Sequence, residues 1–207
     1  WSSDVCSSDL AERSDLGVEH GLSLWIDYRD HKVLLDAGQS GLVAQNALAL
    51  GIDLSQTDIL VLSHGHYDHA GGAPAVLKLA PEASVCMHSK ACWGRYSRRP
   101  DGMHYIGMPR RSRQIINKHW KVFTDTPTVI TPGIGVTGGI PRNCPFEKPE
   151  IKFSLNMNGS KPDPVLDDQA VFIKTDLGLV VLLGCAHAGV VNTLDYIDKI
   201  SNNKPIH

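Results

Sequence analysis

The feature that most constrains the fold of this chain is a dense group of histidines and one aspartate directly after a short apolar run. The run is Ile59-Leu60-Val61-Leu62, and the group that follows reads Ser63-His64-Gly65-His66-Tyr67-Asp68-His69-Ala70-Gly71-Gly72. A short apolar run before turn-forming residues is typical of a buried strand. Three imidazoles and a carboxylate suit zinc, iron or manganese better than calcium or magnesium. The sequence therefore predicts a metal site at the end of a buried strand.

The spacing within this motif predicts how its side chains are distributed. If the chain is extended at His64 and His66, both side chains lie on the same side, because side chains in a strand alternate with a period of two. If the chain then turns into a helix, Asp68 and His69 point back toward a second metal beside the first. One short loop could then serve two ions.

Strands and helices are expected on both sides of the motif. Before and after it, the pattern predicts a hairpin at 22–38, helices at 41–50 and 73–80, and a strand at 84–87. In the second half, strands at 169–174 and 179–183 lead into Gly184-Cys185-Ala186-His187-Ala188-Gly189, and helical spacing follows to about Ile200. In each half of the chain, a strand thus leads into a loop that carries histidine, and a helix follows the loop. This order predicts an α/β sandwich with the ligands along one rim.

The charge of the chain indicates which classes of binding partner to expect. The net charge is −2, which gives no general case for nucleic-acid binding. The exception is residues 90–121, which hold nine of the 20 basic residues, only one acidic residue and little apolar periodicity. This irregular region is either a solvated, mobile loop or a flap whose guanidinium groups bind a phosphate or carboxylate. The candidate substrate-binding residues are Arg95, Arg110, Arg111 and Arg142.

The cysteines and the first residues of the chain indicate its cellular compartment and the extent of its folded domain. The five cysteines are scattered without a Cys-x-x-Cys pair, which favours a reducing compartment. No run of eighteen apolar residues occurs, so we expect a cytoplasmic protein with no membrane partner. Residues 1–10 carry a Ser-Ser-Asp repeat without periodicity, and we expect them to be an artefactual or disordered tail before a single domain at 11–207.

Several stretches together resemble the metallo-β-lactamase-fold hydrolases. They are the Leu-Leu-Asp-Ala-Gly at 34–38, the histidine motif, and the strand followed by Gly-Cys-Ala-His-Ala-Gly at 184–189. More narrowly, four stretches in combination are similar to the branch that takes its name from the archaeal dihydropterin ribofuranosylaminobenzene 5′-phosphate synthases. They are Glu19-His20-Gly21-Leu22-Ser23, Asp36-Ala37-Gly38-Gln39-Ser40-Gly41, Asp167-Asp168-Gln169-Ala170 and Leu183-Gly184-Cys185-Ala186-His187-Ala188-Gly189. The resemblance implies an αββα sandwich. It also implies a final strand and a last histidine beyond residue 207, so we expect a chain truncated at its C-terminus.

The same resemblance implies a dinuclear site. His64 and His66 would ligate the first metal, Asp68 and His69 the second, and His187 would be the third ligand of the first. Zinc is the metal most often implied, with iron or manganese as alternatives. Asp168 and Cys185 are further candidates at or next to the ions, and Asp36 is a candidate for holding the motif loop.

Purely structural roles for several of these residues are the alternative. His187 could be a satisfied core histidine, and Cys185 a small buried residue, since free cysteines are usually buried and inert. His20, His31, His104 and His119 are expected on the surface or in loops, whereas His88 fits either role.

The expected function is metal-dependent hydrolysis of a small anionic molecule, with phosphate-bearing molecules among the candidates, or the chemistry of a related pterin-pathway synthase. A metal pair would activate water for attack without a dedicated side-chain base, with Asp68 as the catalytic carboxylate. One alternative is a nuclease or phosphodiesterase, which the net charge and the lack of an aromatic and basic stripe disfavour. Another is an iron redox or metal-sensing module. Nothing in the sequence indicates the oligomeric state.

Overall fold

The computed structural model describes residues 14–148 and 152–207, so the tail expected at 1–10 lies outside the described residues. Within them the chain forms twelve strands and five α-helices. In chain order these are β1 (Leu24–Tyr28), β2 (His31–Leu35), α1 (Leu42–Ala49), β3 (Ile59–Val61), α2 (Tyr67–Ala70), α3 (Ala73–Leu79), β4 (Ser84–Met87), β5 (Tyr96–Arg99), β6 (Gly102–Tyr105), α4 (Arg110–Ile116), β7 (Lys121–Phe123), β8 (Thr128–Thr131), β9 (Ile134–Val136), β10 (Phe153–Ser154), β11 (Val171–Lys174), β12 (Leu179–Leu182) and α5 (Val190–Ile200).

The chain divides into two compact units. Unit 1 runs to Cys86 and includes Met108–Val122, whereas unit 2 comprises Met87–Gly107 and Phe123–His207. The single domain expected over 11–207 stays a prediction.

Unit 1 is built around a sheet in the order β1-β2-β3-β4-β7. The last residues of β4 and β7, Met87 and Phe123, are assigned to unit 2. β1 and β2 form the expected hairpin, and β2, β3 and β4 are parallel neighbours. Leu60 and Val61 are fully buried, as expected for central parallel strands covered on both faces. α3 packs against both α1 and α4. The predicted strand before the motif is therefore confirmed, and it delivers the motif from the middle of the sheet.

Unit 2 contains two sheets, β10-β5-β6 and β12-β11-β9-β8. β11 pairs antiparallel with both β9 and β12, and the predicted strand pair of the second half is confirmed. Helix α5 packs onto this sheet through Ile197, which is fully buried in a cluster with Ala170 and Leu179. β12 and α5 are thus both anchored in the core on either side of the loop that carries His187.

The expectation of irregular backbone between residues 89 and 121 is wrong. This part of the chain contains the β5–β6 hairpin and helix α4. Its strands could not be predicted from apolar alternation because polar side chains are buried there. Ser97 is only 7% exposed and Arg95, directly before β5, only 1%. Buried polar groups that find partners inside the protein leave no hydrophobic periodicity in the sequence.

We found no helix in residues 14–148 and 152–207 that combines the length and apolar character required to span a bilayer.

Candidate metal centre

The histidine motif of unit 1 starts where β3 ends. His64 and His66 lie in the loop after the strand, and Asp68 and His69 lie in α2, a single helical turn that begins at Tyr67. All four side chains are buried, with exposures of 0, 4, 6 and 1% in chain order. Four titratable groups of this kind are rarely buried together unless they are paired or bind a metal.

The donor atoms of the motif converge in pairs. His64 Nε2 lies 2.9 Å from His66 Nδ1, and His69 Nε2 lies 3.4 Å from Asp68 Oδ2. The imidazole rings of His64 and His69 are also close, with centroids 4.2 Å apart. Imidazole nitrogens and one carboxylate oxygen, buried and at these separations, are a donor set that fits a divalent metal such as zinc.

Asp36 supports the motif from the end of β2. Its carboxylate is fully buried, and Oδ1 accepts the Ser63 backbone N–H at 2.7 Å. Oδ2 lies 2.6 Å from both the Ser63 hydroxyl and His69 Nδ1. A carboxylate at Nδ1 holds a ring proton there, so Nε2 of His69 is the nitrogen that can give up its proton and ligate a metal, which is a recurring arrangement around metal-binding histidines. Asp36 therefore sets both the path of the motif loop and the tautomer of His69.

Asp68 is held in its charged form. Burial acts to raise its pKa, but the hydrogen bond and positive charge of His69, together with the charge of His66, outweigh burial and hold the pKa at about 2. The carboxylate is therefore ionised at neutral pH even before a cation is bound, which is the state that metal ligation requires.

The loop before β1 brings a residue to this site that the sequence analysis placed on the surface. His20 Nε2 lies 3.2 Å from Asp68 Oδ2, and its side chain is 37% exposed. Its neighbours Glu19 and Gly21 occur in one of the stretches that carry the family resemblance. That stretch was the available signal, because nothing in the local periodicity distinguishes His20 from the other loop histidines.

Glycines allow the backbone segments around the motif to approach each other closely. A Cβ atom at Gly72 would lie 1.9 Å from the Ala37 carbonyl oxygen, and one at Gly71 would lie 2.0 Å from that of Gln39. The Ala37 N–H in turn donates to the His69 carbonyl at 2.7 Å. The Gly-Gly pair at the end of the motif is therefore required for packing the motif loop against the loop after β2.

Unit 2 carries the other proposed ligands. Cys185 and His187 are half-buried in the loop between β12 and α5, and the ring of Phe153 lies edge-on to that of His187 with centroids 5.5 Å apart. Asp168 is 2% exposed, and its Oδ2 accepts the Ala188 N–H at 2.7 Å. Its Oδ1 is buried with no hydrogen-bond partner among the described residues. Burial raises the pKa of Asp168, and the charge of His187 acts in the opposite direction.

The four candidate arginines fall into two groups. Arg95 is buried and bonded to two carboxylates, with Nη1 2.9 Å from Asp163 and Nη2 in contact with Asp167. Arg142 is half-buried, and its Nη1 donates to the His187 carbonyl at 2.6 Å. The guanidinium groups of both are thus engaged inside unit 2. Arg110 and Arg111 are exposed in the first turn of α4, which has no acidic residue there.

Comparison with known proteins identifies the relatives of this chain. The family model of the metallo-beta-lactamase superfamily matches residues 16–198. An uncharacterized protein of Methanocaldococcus jannaschii is 30% identical over 192 residues, which are 91% of this chain and 71% of that protein. The 7,8-dihydropterin-6-methyl-4-(beta-D-ribofuranosyl)-aminobenzene-5'-phosphate synthase of the same organism is 28% identical over 202 residues, with 91% of this chain and 68% of the synthase covered.

A solved structure shows the same fold. The crystal structure of a metal-dependent hydrolase of the beta-lactamase superfamily superposes with a TM-score of 0.76 and 30% identity, covering 97% of this chain and 70% of that one. The α/β fold class and the family resemblance expected from the sequence are confirmed.

Proposed function

The chain belongs to the metallo-beta-lactamase superfamily, and from this membership we propose that it is a metal-dependent hydrolase acting on a small anionic molecule. The observation that carries the proposal is the buried donor set of His64, His66, Asp68 and His69 in unit 1. Zinc is the proposed metal because catalytic zinc sites are built from imidazole and carboxylate ligands.

Each residue of the motif has a proposed task. Bound metal ions in such a site supply hydroxide at neutral pH and polarise a carbonyl or phosphoryl oxygen. His64 and His66 would hold one ion, and Asp68 with His69 would hold a second. Asp68 would also accept a hydrogen bond from the water that attacks the substrate and so orient that water. Asp36 keeps the proton of His69 on Nδ1.

For unit 2 we propose His187 as a metal ligand, with Asp168 or Cys185 as its companion. The buried Asp168 Oδ1 supports this role, since a buried carboxylate oxygen without a partner gains one when a cation binds. Replacing His187 with Ala should lower the number of metal ions bound per chain. An unchanged stoichiometry would exclude it as a ligand.

An anionic substrate is proposed from the exposed basic residues. Arg110 and Arg111 are free of acidic neighbours in the first turn of α4, so their guanidinium groups can bind a phosphate or carboxylate. Arg110→Ala should weaken binding of an anionic ester and leave a neutral ester unaffected. An equal effect on both would remove Arg110 from substrate binding.

The relationship to the pterin-pathway synthase supports a second candidate activity on a phosphate-bearing pterin precursor. A pterin phosphate included in the substrate panel would separate this activity from general ester hydrolysis. Single-stranded DNA in the same panel tests the nuclease alternative, which the net charge of −2 disfavours.

The central experiment measures metal content and turnover together. Protein purified without added metal is analysed by elemental mass spectrometry and assayed with p-nitrophenyl esters of acetate and phosphate. Zinc should predominate, whereas stoichiometric iron with no turnover would favour the redox or metal-sensing alternative.

Asp68→Asn should lower turnover by about 100-fold or more. Asp27→Asn, a change at an exposed aspartate of β1, is the matched control. The proposal fails if Asp68→Asn retains both metal and turnover.

A further inference from the structure

The loop that precedes β1 is fixed against the motif by its backbone and by Glu19. Glu19 Oε1 accepts the backbone N–H groups of Gln39 and Ser40, each at 3.0 Å. The Gly38 N–H donates to the Leu22 carbonyl at 2.9 Å on the other side. Residues 19–22 are therefore held on the loop after β2 without any contribution from the His20 ring.

Gly21 brings this loop directly onto the motif. Its φ is +135°, and a Cβ atom there would lie 2.1 Å from the Asp68 carbonyl oxygen. Only a glycine permits this approach, because any side chain would collide with backbone atoms. His20 is consequently placed beside the Asp68 side chain, with Nε2 3.2 Å from Oδ2.

The same carboxylate oxygen faces two imidazoles. Asp68 Oδ2 lies 3.4 Å from His69 Nε2 and 3.2 Å from His20 Nε2. A carboxylate oxygen has two lone-pair positions, so it can serve an ion held with His69 and still accept one N–H. His69 cannot be that donor once its Nε2 faces a metal, because its proton lies on Nδ1 against Asp36. His20 is the imidazole left to donate.

We propose that His20 is a positioning residue, which donates its Nε2 proton to Asp68 Oδ2 and fixes the rotation of that carboxylate about its χ2 angle. The inference rests on the proposed function, since it assigns a partner to a proposed metal ligand. Groups that hydrogen-bond metal ligands orient them before the metal arrives, and their loss typically lowers metal affinity or activity by about 10- to 100-fold. His20 is also partly exposed, so its removal leaves no cavity in the core.

The test compares three variants in metal binding. His20→Ala removes the donor, and His20→Gln keeps an N–H group on a side chain of similar reach. His104→Ala is the matched control, because His104 is 38% exposed and contacts the carboxylate of Asp101 at 2.8 Å, in unit 2. Each protein is titrated with Co²⁺, whose visible spectrum reports ligand geometry, and with Zn²⁺ in competition with a chelator. Melting of the metal-free proteins is recorded in parallel.

We expect His20→Ala to lower metal affinity by about 10- to 100-fold and to change the Co²⁺ spectrum, while the melting temperature of the metal-free protein falls by only about 2–4 °C because His20 is partly exposed. His20→Gln should recover most of the affinity and the wild-type spectrum, and His104→Ala should match the wild type. The inference is overturned if His20→Ala matches the wild type in both metal readouts, or if His20→Gln binds as poorly as His20→Ala. It is also overturned if His104→Ala causes the same loss.

Failure of the underlying function has a different result. If the wild type binds neither Co²⁺ nor Zn²⁺, the proposed hydrolase fails and His20 has no ligand to position. If the wild type binds metal and only the His20 comparison fails, the proposed function stands without this inference.

Discussion

Replacing Asp36 with Asn changes one atom of the carboxylate on which the motif loop depends. In the wild type, Oδ1 accepts the Ser63 backbone N–H, and Oδ2 lies 2.6 Å from both the Ser63 hydroxyl and His69 Nδ1. An amide NH₂ is a donor only, so it cannot replace an oxygen that accepts from a donor. In either orientation of the Asn side chain, a group that donated to Asp36 loses its acceptor.

The size of the effect follows from these contacts. A hydrogen bond to a charged group contributes about 1.5–3 kcal/mol, so the loss of one at a fully buried position should destabilise the protein by about 2 kcal/mol. With the amide nitrogen facing His69, the imidazole restores a hydrogen bond only by moving its proton to Nε2. A protonated Nε2 cannot ligate a metal, so affinity should fall by about 10- to 100-fold.

Three measurements check this expectation. Urea unfolding gives the change in stability, chelator competition gives the zinc affinity, and ¹⁵N NMR of the imidazoles identifies the His69 tautomer. Asp27→Asn, in the same unit but exposed, is the control; it should leave zinc affinity and the His69 tautomer unchanged and lower stability by no more than about 1 kcal/mol, the value of an exposed ion pair such as that of Asp27 with Lys32. If Asp36→Asn binds zinc as tightly as the wild type and His69 keeps its proton on Nδ1, the reasoning about the carboxylate is refuted.

Three further predictions concern the rest of the chain. Arg95→Met should destabilise the protein by about 3–5 kcal/mol, because the buried carboxylates of Asp163 and Asp167 lose their counter-charge. Adding Asp163→Asn and Asp167→Asn should restore stability, measured by urea unfolding. If the triple variant shows no recovery, the result contradicts this role of the ion pairs. Burial raises the pKa of the Cys86 thiol to about 12 from 9.0, so its contribution to stability is fully present below pH 9 and is lost as pH rises toward 12. At pH 10 this loss is about 1 kcal/mol, and Cys86→Ala should lack it in pH-dependent unfolding. An equal decline in both proteins would contradict the assignment. Gly21→Ala should cost about 2 kcal/mol or more because its methyl group collides with a backbone oxygen, whereas Gly51→Ala, where the added atom meets open space at the same sign of φ, should cost only about 1 kcal/mol by thermal melting.

Elements with a regular apolar pattern could be predicted closely from the sequence. The strand at Ser84–Met87 and the helix at Val190–Ile200 have the predicted bounds, and the helix after the motif differs by one residue at its end. These segments bury apolar side chains at the spacing that their secondary structure imposes, so the spacing is visible in the sequence.

The elements that were missed depend on polar burial. β5 and α4 lie in the basic region 90–121, where Arg95 is buried by pairing with Asp163 and Asp167, 68 and 72 residues further along the chain. A residue of this type is expected on the surface unless its partners are known. The same limit applies to the four candidate arginines, since only the structure separates the two that are exposed from the two that are engaged.

The sequence by itself determined the donor set of the candidate metal centre, because His64, His66, Asp68 and His69 lie within six residues and short-range geometry governs how they converge. It also determined the family, through several short stretches of family-like sequence at separate positions in the chain. Only the tertiary structure decided which groups support those donors. Asp36 reaches His69 across 33 residues, and His20 reaches Asp68 across 48. Such contacts depend on where loops from separate strands meet at the edge of a sheet, and neither composition nor periodicity encodes that meeting.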